Sequence, residues 1–273
     1  MAHYLKIVAI PAGKRIYIGW AKSVLHSTFL CLILTISYRA GAGELHDAVL
    51  AGDVETVKTL LASGVDINET DYSTGTALHT AVGQGNSSLV KQLIDHGADI
   101  EALSELNGAR ALHMAIDFDE RTIIELLLDN GADIEAQDGE RRRPLHRATG
   151  SGLNRVVELL LERGAEINAR EGFYDTTPLM QAADNGRLET VKLLLSRGAE
   201  INMIDNRGFS ALSFASQLQS FRNVGNGSLI KFLVDQGADL DVRNAHGQTP
   251  LDYARIRGWK NIAEVLQKLE SSN

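Results

Sequence analysis

Histidines at positions 46, 79, 113 and 146 recur every 33 or 34 residues. Imidazole at a fixed interval is what a ladder of metal sites would need. The interval itself argues against that chemistry. If each interval is one structural unit, successive histidines stand about 10 Å apart, as packed helices do, whereas zinc ligands lie about 2 Å from a shared ion. The same column continues as Met180, Ser213 and Asp252, which form no ligand set. Asp117 and Asp119 come nearest to a general acid–base pair. No nucleophile, oriented base or glycine-rich phosphate loop accompanies them, so they are expected to be solvated carboxylates at a helix end. The single cysteine, Cys31, lies in an apolar stretch near the N-terminus, and the rest of the chain has no thiol or disulfide chemistry. The residues therefore predict no enzyme, no cofactor and no metal.

Charge narrows the partners. The 273 residues carry 27 basic and 35 acidic side chains. Five of the bases (Lys6, Lys14, Arg15, Lys22 and Arg39) fall in residues 1–42, which hold no acid. Residues 43–273 thus carry about −13, a sign that repels phosphate backbones, and no nucleic acid is expected as a partner. Aromatics at 5% are too scarce for stacking platforms. An apolar fraction of 44% with 23% charged is that of a folded chain.

The elements that must position these residues are repeats. Leucines at 45, 78, 112, 145, 179, 212 and 251 are spaced by 33, 34, 33, 34, 33 and 39. Each is followed three residues on by alanine, from Ala48 to Ala254. A second landmark, Gly-Ala-Asp/Glu-Ile or a near variant, starts in phase at Gly64, Gly97, Gly131, Gly164, Gly198 and Gly237. Thr177-Pro178 and Thr249-Pro250 suit helix starts, the hydroxyl capping and proline fitting the first turn. A glycine seven residues after the leucine, as at Gly52 and Gly152, suits the helix end. A second, more apolar helix follows, as in Val156-Val157-Glu158-Leu159-Leu160-Leu161. One such unit cannot bury its own apolar face, whereas a stack makes a continuous core.

The period, the Thr-Pro-Leu-His-x-Ala-like start and the Gly-Ala-Asp-Ile-Asn end resemble the ankyrin repeat. The resemblance covers residues 44–269. It implies an all-α solenoid of about seven stacked helix-turn-helix units with projecting β-turn fingers, in an L-shaped stack whose first helices line a concave face. It also implies a structural hydrogen-bonding role for the histidine column. Asn68, Asn168 and Asn202 end the Asp/Glu-Ile-Asn segments and are expected to satisfy local backbone groups in a turn; in the family such asparagines can be hydroxylated by a cytosolic enzyme. The expected domain runs over residues 43–273, with the first and last repeats as caps. Gly43-Glu44 stands where Thr-Pro belongs, and Gln267 replaces the apolar residue of Leu61, Ile94, Leu128, Leu161, Leu195 and Val234. The third unit has Asp119 in place of the turn glycine, and the sixth carries about six extra residues near Gln219–Asn226.

Residues 1–42 read differently. A basic stretch ends at Lys22, an apolar run spans Val24 to Tyr38, and Ala40-Gly41-Ala42 follow. That order matches a secretory signal with cleavage after Ala42. The run of fifteen residues reaches roughly 22 Å as a helix, short of a hydrocarbon core of about 30 Å. An uncleaved signal anchor is the alternative. Either way the repeats are expected outside the cytoplasm, secreted, periplasmic or membrane-anchored, with the membrane touched only through the leader. Asn68, Asn86 and Asn226 open glycosylation patterns that matter only in a eukaryotic secretory pathway.

A stack of binding repeats uses its framework for packing, so contacts to a partner come from positions that vary. Those are the residue after the histidine position and the finger tips. Interface anchors are enriched in Tyr, Phe, Met and Arg, which selects Tyr72, Met114, Arg141, Arg142, Arg147, Phe173, Tyr174, Phe214 and Tyr253. The expectation is a monomeric scaffold that binds a protein partner through finger tips and the concave helix face. A central Arg141, Arg142 and Arg147 patch flanked by aromatics would receive an acidic segment. The alternative is a membrane-tethered organiser held by its leader.

Overall fold

The computed structural model describes residues 43–71, 74–105, 107–217 and 226–271. The leader, Tyr72 and nearly all of the sixth unit's insertion lie outside the described residues. Seven helix pairs follow one another: α1 (Glu44–Leu50) and α2 (Val54–Ala62); α3 (Ala77–Gly83) and α4 (Ser87–Asp95); α5 (Ala111–Asp117) and α6 (Arg121–Asp129); α7 (Pro144–Ser151) and α8 (Asn154–Glu162); α9 (Pro178–Asp184) and α10 (Leu188–Ser196); α11 (Ala211–Gln217) and α12 (Asn226–Asp235); α13 (Pro250–Ile256) and α14 (Lys260–Glu270).

In the fifth and seventh units the start of the first helix is fixed chemically. Thr177 and Thr249 accept the backbone N–H groups of Met180 and Asp252 at 3.3 and 3.2 Å, and proline occupies the first turn. Second helices α2 and α4 are capped by Asp53 and Asn86, which accept from the Thr56 and Leu89 N–H groups. The turn between the helices requires a left-handed residue. Glycine supplies it in most units, as at Gly152 with φ 80°, and Asp119 does so in the third with φ 57°. The departure at Asp119 therefore keeps the turn and changes only its cost.

Burial follows the landmarks. The repeat leucines and their alanines are buried from one end to the other, and Leu93, Leu127, Leu160, Leu194 and Leu233 of the second helices are fully enclosed. Each buried leucine contributes about 1.5–3 kcal/mol against exposure. First helices pack on the first helices of the units before and after, and the alanines permit that approach; α4 packs on α6, α8 on α10 and α12 on α14. Gln267 is exposed on α14, as expected of a face that meets water.

Between the units the chain makes turns with little β-structure. Thr70–Asp71 pairs antiparallel with Gly75–Thr76, and single bridges join Glu171 to Thr176 and Ile204 to Ser210. The asparagines that end the Asp/Glu-Ile-Asn segments correct one expectation. Their partners are in the next unit and not local: Asn68, Asn168 and Asn202 accept the N–H groups of Asp99, Glu200 and Asp239 at 2.8, 3.0 and 2.9 Å. Glu101 and Glu135 do the same for Asp133 and Glu166. Among the described residues no helix is long and apolar enough to cross a membrane.

Candidate protein-interaction surface

The fourth, sixth and seventh finger tips are each held by one acidic or amide corner residue. Asp138 Oδ1 accepts from the N–H groups of Glu140 and Arg142, both at 2.8 Å, while its own N–H donates to the Arg142 carbonyl. Asp205 closes the sixth finger the same way through Arg207 and Phe209, and Asn244 the seventh through His246 and Gln248. Successive fingers are then linked. Gly139 donates to the Asn107 carbonyl, Gly172 to Arg141, Asn206 to Tyr174 and Ala245 to Arg207, at 2.8–3.3 Å. The fingers form a hydrogen-bonded row as well as a row of tips.

The histidine column is structural, as the resemblance implied. His46, His79, His113 and His146 are buried, and each Nε2 lies 3.0–3.1 Å from a carbonyl of the following finger (Gly75, Ala109, Ala136 and Thr176). A carbonyl only accepts, so Nε2 carries the proton. Burial lowers the pKa of His79, and those of His113 and His146 to about 4 and about 3, which keeps the last two rings neutral. Among the described residues no group of three or more His, Cys, Asp or Glu could hold a metal.

Arg147 does not stand in the surface patch expected of it. It is 7% exposed. Its Nε and Nη2 donate to Asp138 at 3.0 and 2.5 Å, and its Nη1 donates to Asp117. Burial opposes its charge, but the hydrogen bonds and charges of the two aspartates outweigh that and hold its pKa above the usual value. Burial likewise opposes ionisation of Asp138, and bonds from Arg142 and Arg147 overcome it. The reason is geometric: the position after the histidine faces the preceding unit and the finger together. Asp117 lies exposed at a helix end, as expected, and also pairs with Arg147 in this ion network. Phe214, chosen as a contact, is also buried. Arg142 is partly engaged, with Asp138 at 3.0 Å and Glu140 at 3.3 Å.

The other candidates are accessible. Phe173 is 77% exposed and Tyr174 51%. Arg141 is exposed and its guanidinium carbon lies 5.7 Å from the Phe173 ring centre. Tyr253 is half-buried and stacks edge-on between Phe209 and Trp259, with centroids 5.7 and 5.6 Å away. Sequence reasoning missed Phe209 and Trp259, and it missed the role of Arg207. That guanidinium sits 3.8 Å from the Tyr174 ring centre and pairs with Asp205 at 2.8 Å. The signal was present as aromatics clustered in the last three units, but their meeting requires the stack. Met114 is half-buried and lines a cleft of about 410 Å³ together with Leu50, Thr80, Gln84, Asn107 and Phe118.

Comparison with known proteins agrees with this geometry. The family model for ankyrin repeats, in three copies, matches residues 45–138, 145–225 and 179–273. The ankyrin repeat domain of Bcl-3 superposes with a TM-score of 0.69 at 33% identity, covering 83% of this chain and 99% of that one. The human ASB11 ankyrin repeat domain gives 0.69 at 27% identity, covering 84% and 98%. Among curated relatives, protein phosphatase 1 regulatory subunit 27 of Homo sapiens is 38% identical over 72 residues, which are 26% of this chain and 47% of that protein. An L-asparaginase of Dirofilaria immitis is 41% identical over 75 residues, 28% of this chain and 13% of the enzyme. The matches thus span less than half of either relative. Ankyrin repeats generally mediate protein–protein interaction. With its repeats matched from residue 45 to residue 273, the chain belongs to the ankyrin repeat family.

Proposed function

We propose that this protein is a monomeric binding scaffold that docks one protein partner on its fourth to sixth fingers and the adjoining first helices. The observation that supports this most is the exposure of Phe173 and Tyr174 at the tip of the fifth finger, beside Arg141. Large exposed aromatics next to arginine have the composition of an interface anchor, and nothing in the packing of the stack requires them there. Met114 and its cleft, and Tyr253 further along the row, extend the surface. Arg147 and Phe214 serve it from beneath, by fixing the row. The L-asparaginase match covers too little of that enzyme to bring its activity here.

The proposed compartment is outside the cytoplasm, on the strength of the basic, apolar and small-residue order of residues 1–42. An anchored form, tethered by the same leader, is the alternative. An intact-mass measurement on the C-terminally tagged chain from fractionated cells separates them: mass lacking residues 1–42 supports secretion, full-length mass in the membrane supports the tether, and full-length mass in the soluble cytoplasm overturns both.

Docking is tested by a photo-crosslinking amino acid placed at Phe173 or, as a control, at exposed Lys58. A defined partner captured from 173 and not from 58, with affinity lost in Phe173→Ala at unchanged thermal unfolding, is expected. No adduct at 173 in any fraction refutes the surface.

A further inference from the structure

The fourth, sixth and seventh fingers share one backbone plan, and one position in it is exceptional. Three residues after the corner Asp138, Asp205 or Asn244 comes a left-handed residue whose N–H donates to the corner carbonyl at 2.8–3.0 Å. In the sixth and seventh fingers that residue is Gly208, with φ 82°, and Gly247, with φ 73°. In the fourth it is Arg141, with φ 63°. A side chain there is conformationally disfavoured, and glycine would remove the strain. The fold does not need the side chain, because two sister fingers close without one.

Arg141 also differs in its pairing from four arginines around it. Arg142 is neutralised by Asp138 and Glu140, Arg143 by Glu135, Arg147 by Asp138 and Asp117, and Arg207 by Asp205, while Arg170, at the base of the fifth finger, donates to the Asp175 and Ile204 carbonyls. Among the described residues Arg141 meets no carboxylate. Its one contact of note is the ring of Phe173, the most exposed large apolar side chain described. An arginine laid beside an aromatic ring keeps its planar N–H edge free, and that edge matches a carboxylate in bidentate fashion.

We infer that the tips of the fourth and fifth fingers recognise an acidic peptide segment of the partner protein, with Arg141 reading a carboxylate and Phe173 flanking it as the apolar wall. This rests on the scaffold reading above and names its partner's chemistry. The domain around the site, with 22 basic and 35 acidic residues between 43 and 273, repels a polyanion over most of its surface. An acidic segment is therefore admitted only where an unpaired cation stands forward. A short acidic segment confined to one tip meets little of that repulsion, whereas a nucleic acid running past the tip on both sides meets much more of it.

The test uses the full chain, a fluorescein-labelled glutamate decamer, a Gly-Ser decamer as neutral control and a thymidine 20-mer, with anisotropy and thermal unfolding as readouts. The glutamate decamer should bind and the Gly-Ser decamer should not. Arg141→Gly should weaken binding at least tenfold while its melting temperature stays level or rises, which a merely structural arginine would not do. Phe173→Ala should weaken binding severalfold, and Arg155→Ala, at an exposed arginine elsewhere, should leave it unchanged. Absence of decaglutamate binding, equal losses in Arg141→Gly and Arg155→Ala, or tighter binding of the thymidine 20-mer than of the decamer would each overturn the proposal. A partner crosslinked from position 173 in a protein that ignores decaglutamate would overturn the acidic class alone and leave the scaffold reading standing.

Discussion

The fourth and fifth fingers occupy equivalent places in the stack and differ at their corner by one methylene, Asp138 against Glu171. Asp138 folds back on its own turn, and its second oxygen is left to gather Arg142 and Arg147. Glu171 has a longer reach. Its turn closes through a backbone pair with Thr176, and its carboxyl group crosses to the preceding unit. There it accepts the Arg143 N–H at 3.0 Å and faces His146 Nδ1 at 3.5 Å. In the second and third units the equivalent N–H, from Thr76 or Arg110, goes to the histidine itself. Glu171 has displaced that bond and left His146 Nδ1 without a hydrogen-bond partner.

The electrical outcomes are opposite. Asp138 is held below the usual carboxylate range by the arginine partners that outweigh its burial. Glu171, buried without a comparable partner, is pushed up to about 8, against the weaker pull of the Arg143 N–H and of Arg142. At neutral pH the fourth corner is an ion and the fifth is mostly a neutral acid. The lesson is that reach, more than residue class, decides whether a buried carboxyl group acts as a charge lock or stays neutral.

Removing the lock should have the largest effect. Asp138→Ala leaves Arg147 buried with one carboxylate instead of two and opens the finger, for an expected loss of about 3–5 kcal/mol in urea unfolding. A loss under about 1 kcal/mol would mean that Asp117 suffices, consistent with a surface pair.

The acid corner should show itself in pH. A group whose folded pKa is raised stabilises fully below its unfolded value, and that contribution is lost as pH rises to the folded value. For Glu171 the loss runs from about 4.5 to 8. His113 and His146, lowered to about 4 and about 3, act oppositely and add stability as pH rises to about 6.5. The histidine slopes fade over the pH unit above about 6.5, and beyond about pH 7.5 the Glu171 slope dominates these three. Stability should fall by about 1 kcal/mol between pH 7 and 8.5, and Glu171→Gln should remove that fall. Superimposable profiles for the two proteins would show that Glu171 ionises normally.

Glu171→Asp should have the smallest effect, about 1 kcal/mol. The shorter side chain no longer reaches the Arg143 N–H, which can return to His146 Nδ1 as in the sister units. Amide exchange at Arg143 should stay slow if that bond is restored and accelerate if it is not.

Much of the stack was legible in the sequence because its instructions are repeated. Leu145 and Ala148 mean the same as Leu78 and Ala81, and Thr177-Pro178 announces a helix wherever it stands. Gln267 was readable as the one polar residue in an apolar column. The site was less legible because it depends on unlike positions meeting. Asp117, Asp138 and Arg147 lie in a helix end, a finger and the next helix, and no single column displays the triad. Arg141, selected together with Arg142 and Arg147, could have been set apart from them by aligning Asp138-Gly139-Glu140-Arg141 on Asp205-Asn206-Arg207-Gly208, where a glycine is missing. The substitution of glutamate for aspartate at 171 was visible, but its consequence depends on where the neighbouring N–H points.

The hydrogen-bonded row of fingers also has a mechanical meaning. Helices and fingers hold the units next to them, so a pull applied between the two ends loads the contacts in series. The stack should then yield one unit at a time, each releasing about 33 residues or roughly 110 Å of extended chain. In a force trace the tooth for the Asp138–Arg147 junction should stand highest, since there a finger and two helices must part together. A docked partner spanning the fourth to sixth fingers would raise the neighbouring teeth and leave those of the first two units where they were.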